Sequence, residues 1–315
     1  MKSEILIHPE ELTHKQIHRM ASLGVNILGI HPVGGNDAAD SLKQLLCRLE
    51  EPSFRALLDD AAEHGLEIEY EMHAASYLLP REMFAEHPTY FRMNEAGERV
   101  SDFDFCPSNE EGLALIAARA AELAHKLYRS RHTYYFWMDD GRNHACHCPK
   151  CRRFSASEQQ LIALNRILQE LKKTIPDAKM AHIAYVDRIE VPQQVKPEEG
   201  IFLEFAPYEK YMKDPDRQRQ EEEQRALPLL LSYFGTRDAK VLEYWLDNSL
   251  FSHWKKPPKP FFANADTVAA EVRAYAKMGF AQIATFGCFL GDDYEALYGE
   301  PDITPFTDAF QALDR

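Results

Sequence analysis

The residues most able to do chemistry are gathered in one stretch, YYFWMDDGRNHACHCPKC, Tyr134 to Cys151. It holds two adjacent carboxylates, Asp139 and Asp140, followed by three thiols spaced C-x-C-x-x-C at Cys146, Cys148 and Cys151. An acid beside a bound acetal can protonate the leaving oxygen, and a second carboxylate can stabilise an oxocarbenium-like transition state. Consecutive residues of a regular strand face opposite ways, so both aspartates reach one substrate only if the strand ends or bulges there, and Gly141 offers such a break. The thiols suit a tetrahedral zinc, which needs a fourth ligand. Cys106, in FDFCPSN before the helix that leads into the fourth strand, is expected in the adjacent loop, with His144 and His147 as local alternatives. Four protein ligands make a structural zinc site that pins the aspartate loop, whereas three ligands and a water make a catalytic one. Reduced thiols or a disulfide are the remaining reading. Cys47 and Cys288 are read as packing residues.

These groups must be positioned by a scaffold, and one unit recurs along the chain. An amphipathic helix ends in glycine and a short apolar strand follows, as in IHRMASLG-VNILGIH, FRALLDDAAEHG-LEIEYEMH and VAAEVRAYAKMG-FAQIATFG. Gly24, Gly65 and Gly279 stand where a helix C-cap tolerates positive φ. Further strands are expected at Tyr134–Asp140, Lys179–Tyr185, Ile201–Ala206 and Lys240–Asp247, and a first at Ile5–His8. Apolar residues at helical spacing predict helices over 110–128 and 158–172, the second opening with the capping box Ser155-x-x-Glu158. Eight strands alternating with helices over 315 residues predict a single (β/α)8 barrel domain spanning 1–315. No G-x-G-x-x-G follows a strand, so a dinucleotide fold, and with it an organic cofactor, is not expected. Tyr208–Leu227 reads as a solvated helix and linker, and KKPPKPFF (255–262) as an extended surface loop.

Barrel geometry sharpens the site. In Leu66–His73 the apolar parity should face helices, sending Glu67, Glu69, Glu71 and His73 inward. Strand C-termini share the face where barrel enzymes place their active sites. They bring together His8, His31, His73, Asp139, Asp140, Tyr185, Asp247 and Cys288, with Tyr244, Trp245, Trp254 and Phe286 nearby. Carboxylates mixed with aromatics fit a carbohydrate ligand. Glu204, which interrupts the apolar IFLEFA, and Glu243 and Asp247 are candidate partner carboxylates; Glu243, Trp245 and Asp247 share a parity that could form a sugar-facing strip.

A net charge of −14 argues against nucleic acid and anionic membrane surfaces as partners. The opening residues MKSEILIHPEELTHK contain neither the apolar run nor the cleavage site of a secretory signal, and no stretch approaches a membrane span. Six cysteines, three of them clustered, do not make a disulfide framework, so a reducing cytoplasm is the expected compartment. None of these features specifies an oligomeric state.

The run EYEMHAASYLLPREMFAEHPTYFRMNEAGERV, then FCPSN, then WMDDG and C-x-C-x-x-C, resembles an uncharacterised bacterial family, the domain of unknown function 4838. Members of that family are similar in fold to glycoside hydrolases. More distantly, an acidic pair at the end of a fourth strand resembles the β-hexosaminidases and O-GlcNAcases, in which the substrate's own acetamido oxygen attacks the anomeric carbon. That resemblance implies Asp139 as the residue that orients an acetamide and Asp140 as the general acid/base. The expected activity is hydrolysis of a small glycoside or oligosaccharide, including one bearing N-acetylhexosamine, with His31, His73, Tyr185, Glu204, Glu243, Tyr244, Trp245 and Asp247 forming the sugar pocket. Two other classes compete: a carbohydrate-binding pseudoenzyme of the same fold, and a metal-dependent hydrolase or isomerase.

Overall fold

A computed structural model describes residues 1–212 and 214–313. Eight parallel strands close into one barrel in chain order: β1 (Lys2–Ile7), β2 (Ile27–Ile30), β3 (Glu67–His73), β4 (Thr133–Trp137), β5 (Lys179–Ala184), β6 (Ile201–Phe205), β7 (Lys240–Glu243) and β8 (Gln282–Phe286). β8 pairs back onto β1, with Glu4 opposite Ala284 and Leu6 opposite Phe286. The (β/α)8 expectation holds for every strand.

Local sequence explains the elements. The helices at Glu110–Lys126 and Ala156–Leu171 bury the predicted apolar stripes, Leu113, Ile116, Ala120 and Leu123 in one and Leu161, Leu164, Ile167, Leu168 and Leu171 in the other. Ser155 and Glu158 form the reciprocal capping box at the start of the second. Gly279 caps its helix at φ 88°, in the left-handed region that L side chains avoid. Among the described residues no helix is long and apolar enough to cross a membrane.

The core has two shells. The outer one lies between strands and helices. The inner one fills the barrel and includes Leu6, Tyr135, Trp137, Ala181, Ile183, Phe202, Leu242, Tyr244, Ala284 and Phe286. Below this apolar plug sits an ionic layer. The β3 parity prediction is confirmed here, because Glu69 and Glu71 are buried inside the barrel with Glu4, Glu204 and the fully buried Lys240. Glu67, nearer the barrel's lower rim, is only partly buried and pairs with Lys2 at 2.6 Å and with Arg131.

Two long excursions leave the C-terminal face. One runs from β3 through the short helical turns of 75–90 and the 91–109 segment; the other is the 138–155 loop after β4, which contains only turns. The 208–227 region is not a simple solvated linker. Its helix spans Arg217–Phe234, but Tyr208 is half-buried and Glu209 and Glu223 are buried; Lys213 lies outside the described residues.

Candidate active site

A cavity of about 520 Å³ opens where the strands end. Its wall includes His8, His31, His73, Trp137, Asp140, Tyr185, Tyr208, Tyr244, Asp247, Trp254 and Phe286. Of the residues expected to form a sugar pocket, His31, His73, Tyr185, Tyr244 and Asp247 are brought together here. The fold achieves this because each lies at or just past a strand terminus, β2 for His31, β3 for His73, β5 for Tyr185 and β7 for Tyr244 and Asp247.

The adjacent aspartates do not share the cavity. β4 ends at Trp137, and the chain then splays the two side chains sideways. Asp139 turns toward the segment after β3. It is 4% exposed and accepts hydrogen bonds from the Ser76 hydroxyl at 2.6 Å, the Ser76 N–H at 3.1 Å, Arg81 Nη2 at 2.7 Å and the Asp104 N–H at 2.6 Å. Its own N–H donates to Asp104 Oδ1 at 2.8 Å, and Arg188 pairs with Asp104 at 2.6 Å. With four donors on its carboxylate, Asp139 cannot orient a substrate acetamide, which corrects the expected role. Asp140 turns the other way, lines the cavity and accepts from the Tyr185 hydroxyl at 3.1 Å. Gly141 follows at φ 137°, with the His144 ring so close that a Cβ there would lie 2.5 Å from it, so this bend is reserved for glycine.

Three further expectations are corrected. Glu243 and Trp245 face the helices rather than a ligand: Glu243 is fully buried, bonded to Lys210 at 2.7 Å, Tyr211 at 2.7 Å and Tyr275 at 2.5 Å, and Trp245 packs on Phe306 while donating to Glu271 at 2.6 Å. The inward parity of β7 is the other one, Leu242 and Tyr244. Glu204 points into the barrel but lies below the cavity, where its Oε2 accepts from the Trp137 indole at 2.7 Å. Cys47, read as packing, is exposed, whereas Cys288 is buried in the inner core as expected and also lines the cavity.

Sequence reasoning leaves several cavity residues out of the pocket, Trp137, Tyr208 and Asp37 among them. Trp137 lies tilted against His31 and edge-on to His73 at ring-centroid distances of 5.5 and 5.2 Å. Its signal was its place as the last residue of an aromatic strand. Tyr208 falls in the stretch that reads as a charged linker, although it stands three residues beyond β6.

The electrostatics favour a neutral ligand. Among the described residues no lysine or arginine lines the cavity, whereas Asp37, Asp140 and Asp247 do. The three histidines are oriented alike, with Nδ1 of His8 2.8 Å from the His31 carbonyl, Nδ1 of His31 2.9 Å from that of Glu71 and Nδ1 of His73 2.6 Å from that of Met138. A carbonyl oxygen only accepts, so each Nδ1 carries the proton. Burial, reinforced by His8 and His73, holds the His31 imidazolium well below its usual range, so His31 is neutral and its Nε2 is an acceptor. Gly34 backs His73 closely; a Cβ there would come within 2.7 Å of the ring. Burial raises the Asp247 carboxyl, whose Oδ1 accepts from the Ser249 N–H at 3.0 Å and its hydroxyl at 2.5 Å. Tyr208 is pushed up to about 12 by burial and by the charges of both Asp140 and Asp247, which places it in the field of the two acids.

Cys106, Cys146, Cys148 and Cys151 form a separate buried cluster on the same face, with all four sulfurs within 4.8 Å of one another. Cys106, rather than a histidine, is the fourth member. His144 stacks on Phe103 at 3.8 Å, and His147 is half-exposed beside Glu95.

Comparison with known proteins agrees with this architecture. The chain aligns with a β-galactosidase from the psychrophilic Marinomonas ef1 at TM-score 0.57 and 10% identity, covering 100% of this chain and 59% of that one. It aligns with Thermotoga maritima Cel5A in complex with cellobiose at 0.54 and 10%, covering 98% and 96%. With the GH20 catalytic modules of the pneumococcal exo-β-D-N-acetylglucosaminidase StrH the values are 0.50 and 11%, covering 99% and 82%. At such identities the likeness concerns the fold, and the chain spans only about three-fifths of the first of these proteins. No curated protein matches the sequence. The model of the domain of unknown function DUF4838 matches residues 50–232, which contain the acidic pair and all four clustered cysteines, and the chain belongs to that family.

Proposed function

We propose that this protein is a glycoside hydrolase acting on an uncharged, hydroxyl-rich glycoside, with Asp140 as the proton donor to the leaving oxygen. The observation that carries this reading is the position of Asp140: a half-buried carboxylate held by Tyr185 at the wall of a cavity lined by Trp137, Tyr208, Tyr244 and Phe286. Aromatic faces take the C–H faces of sugar rings, and the neutral His31 imidazole accepts from a hydroxyl. Asp247, also on the cavity wall, is the carboxylate available to stabilise the developing positive charge or to activate water. Asp139 acts through the backbone it fixes and is a positioning residue. The two-carboxylate scheme replaces acetamide assistance by Asp139, so an N-acetyl group is not required of the substrate. Structural likeness to enzymes crystallised with cellobiose, cellotriose and a xyloglucan heptasaccharide supports the substrate class.

One observation favours a second reading, a metal-assisted hydrolase: single ligand atoms of His8, Glu11 and Cys288 lie within 4.8 Å of one another beside the cavity. Against it, the Glu11 carboxylate already accepts the Phe289 N–H at 2.7 Å and the His8 N–H at 3.3 Å.

The test is a panel of aryl glycosides, neutral and anionic. Hydrolysis of one or more neutral members is expected, with uronide and sulfated analogues at least ~10²-fold slower, because a buried anion facing three carboxylates goes unpaired. Asp140→Asn should lower kcat by ~10²–10⁴ at an unchanged Tm. Ligand-induced stabilisation without turnover across the panel would favour a pseudoenzyme, and activity lost to a chelator and regained with metal would favour the second reading.

A further inference from the structure

We propose that Cys106, Cys146, Cys148 and Cys151 bind one zinc ion, which clamps the Asp140-bearing loop to the excursion after β3. The sulfur of Cys106 lies 3.8 Å from that of Cys148 and 3.8 Å from that of Cys151, and all four are mutually within 4.8 Å. A regular tetrahedron with Zn–S bonds of ~2.3 Å has edges of ~3.8 Å. A disulfide would bring two sulfurs to ~2.05 Å, and no cysteine among the described residues is paired. An iron–sulfide cluster would hold the thiolates further apart than one ion does. Soft thiolates in this arrangement select zinc over the hard cations.

The surroundings fit a thiolate-bound dication. The Met93 N–H points at Cys146 Sγ from 3.3 Å, and Arg99 Nη1 lies 3.9 Å from the same sulfur. Ser108 Oγ is 3.0 Å from Cys151 Sγ, close enough to donate to a thiolate. These donors offset the net negative charge of four thiolates on one Zn²⁺. Gln159 fixes the loop from below, accepting the Cys146 N–H at 2.8 Å and donating to the Cys146 carbonyl at 3.1 Å. No open ligand position remains, so the ion is structural. Its mechanical role follows from connectivity. Cys106 lies two residues beyond Asp104, which bonds Asp139, and Cys146 lies six beyond Asp140. The metal and the Asp104–Asp139 contacts therefore fasten the same two long segments, neither of which has a regular element between these points to hold it.

The experiment uses the full chain, purified without chelator and without immobilised-metal resin. Elemental analysis should give about one zinc per chain, and exchange with Co²⁺ should produce the intense thiolate-to-cobalt charge-transfer bands of a tetrahedral sulfur site. Stripping the metal should open protease cleavage within 92–106 and 141–155 while the circular dichroism of the barrel persists. Cys148→Ser should lower zinc retention at least ~10-fold; if that variant fails to fold, the wild-type metal content and cobalt spectrum decide alone. Less than ~0.1 zinc per chain with no cobalt–thiolate bands, or iron in place of zinc, would overturn the site. Zinc present but proteolysis unchanged on its removal would overturn the clamp. These readouts do not use turnover, so they stand apart from the proposed activity.

Discussion

A carboxyl group donates a proton to a substrate only if the substrate can reach it, and that criterion separates the two adjacent aspartates. Asp139 is enclosed by Ser76, Arg81 and Asp104; Asp140 is open to the cavity. Their substitutions should therefore fail differently. Asp139→Ala leaves the Arg81 guanidinium and the Asp104 N–H without their acceptor. Because Arg81 is 23% exposed, the cost should fall below that of a fully buried pair, about 2–3 kcal/mol, read as a lowered denaturation midpoint. A loss under ~0.5 kcal/mol would show the network to be idle. That two acids stood next to a strand end could be read from YYFWMDDG. Which of them faced the opening could not, because it depends on Arg81 and Asp104, respectively 58 and 35 residues away in sequence.

At the scale of elements, the ionic layer inside the barrel makes a claim about pH. Four carboxylates, Glu4, Glu69, Glu71 and Glu204, surround one cation, Lys240, which is 2.6 Å from Glu4 and in closer contact with Glu71. Burial raises Glu71 to about 8 and Glu204 to about 7, with Lys240 opposing the shift in both. An unfolded glutamate titrates near ~4.3, so between that value and about 7–8 the folded state holds protons the unfolded chain has released. Stability from this layer is thus complete below ~4.3 and is lost as pH rises through the folded values. Lys240→Met removes the opposing attraction. We expect it to destabilise the protein by ~3–5 kcal/mol at pH 8 and by markedly less at pH 5.5, as followed by chemical denaturation at both. Equal losses at the two pH values would contradict the assignment. The alternation of glutamates in LEIEYEMH announced an interior polar layer. It did not announce Lys240, which lies on the opposite side of the barrel, nor that the strip Glu243–Trp245 would face helices. Both depend on how the strands close, and the same parity is compatible with either face.

For the whole molecule, the recurrent helix–glycine–strand unit made the barrel legible, since parallel pairing and closure follow from alternation and strand count. The face that carries the chemistry follows from the barrel too, and His31, His73, Tyr185, Tyr244 and Asp247 met there as the topology requires. Less legible was the division of labour between loops. The cysteine spacing suggested an ion with Cys106 as its fourth ligand, and the folded chain gathers the four; that they tie the excursion after β3 to the loop after β4 is seen only there. The central claim is that Asp140 gives its proton to the leaving oxygen. Once a hydrolysed glycoside is known, its direct test is to compare the loss caused by Asp140→Ala on an alkyl or sugar leaving group with the loss on a dinitrophenyl one, which departs without protonation. The account predicts a fall of at least ~10³-fold for the first and under ~10-fold for the bond-cleaving step of the second. Equal losses on both leaving groups would contradict it.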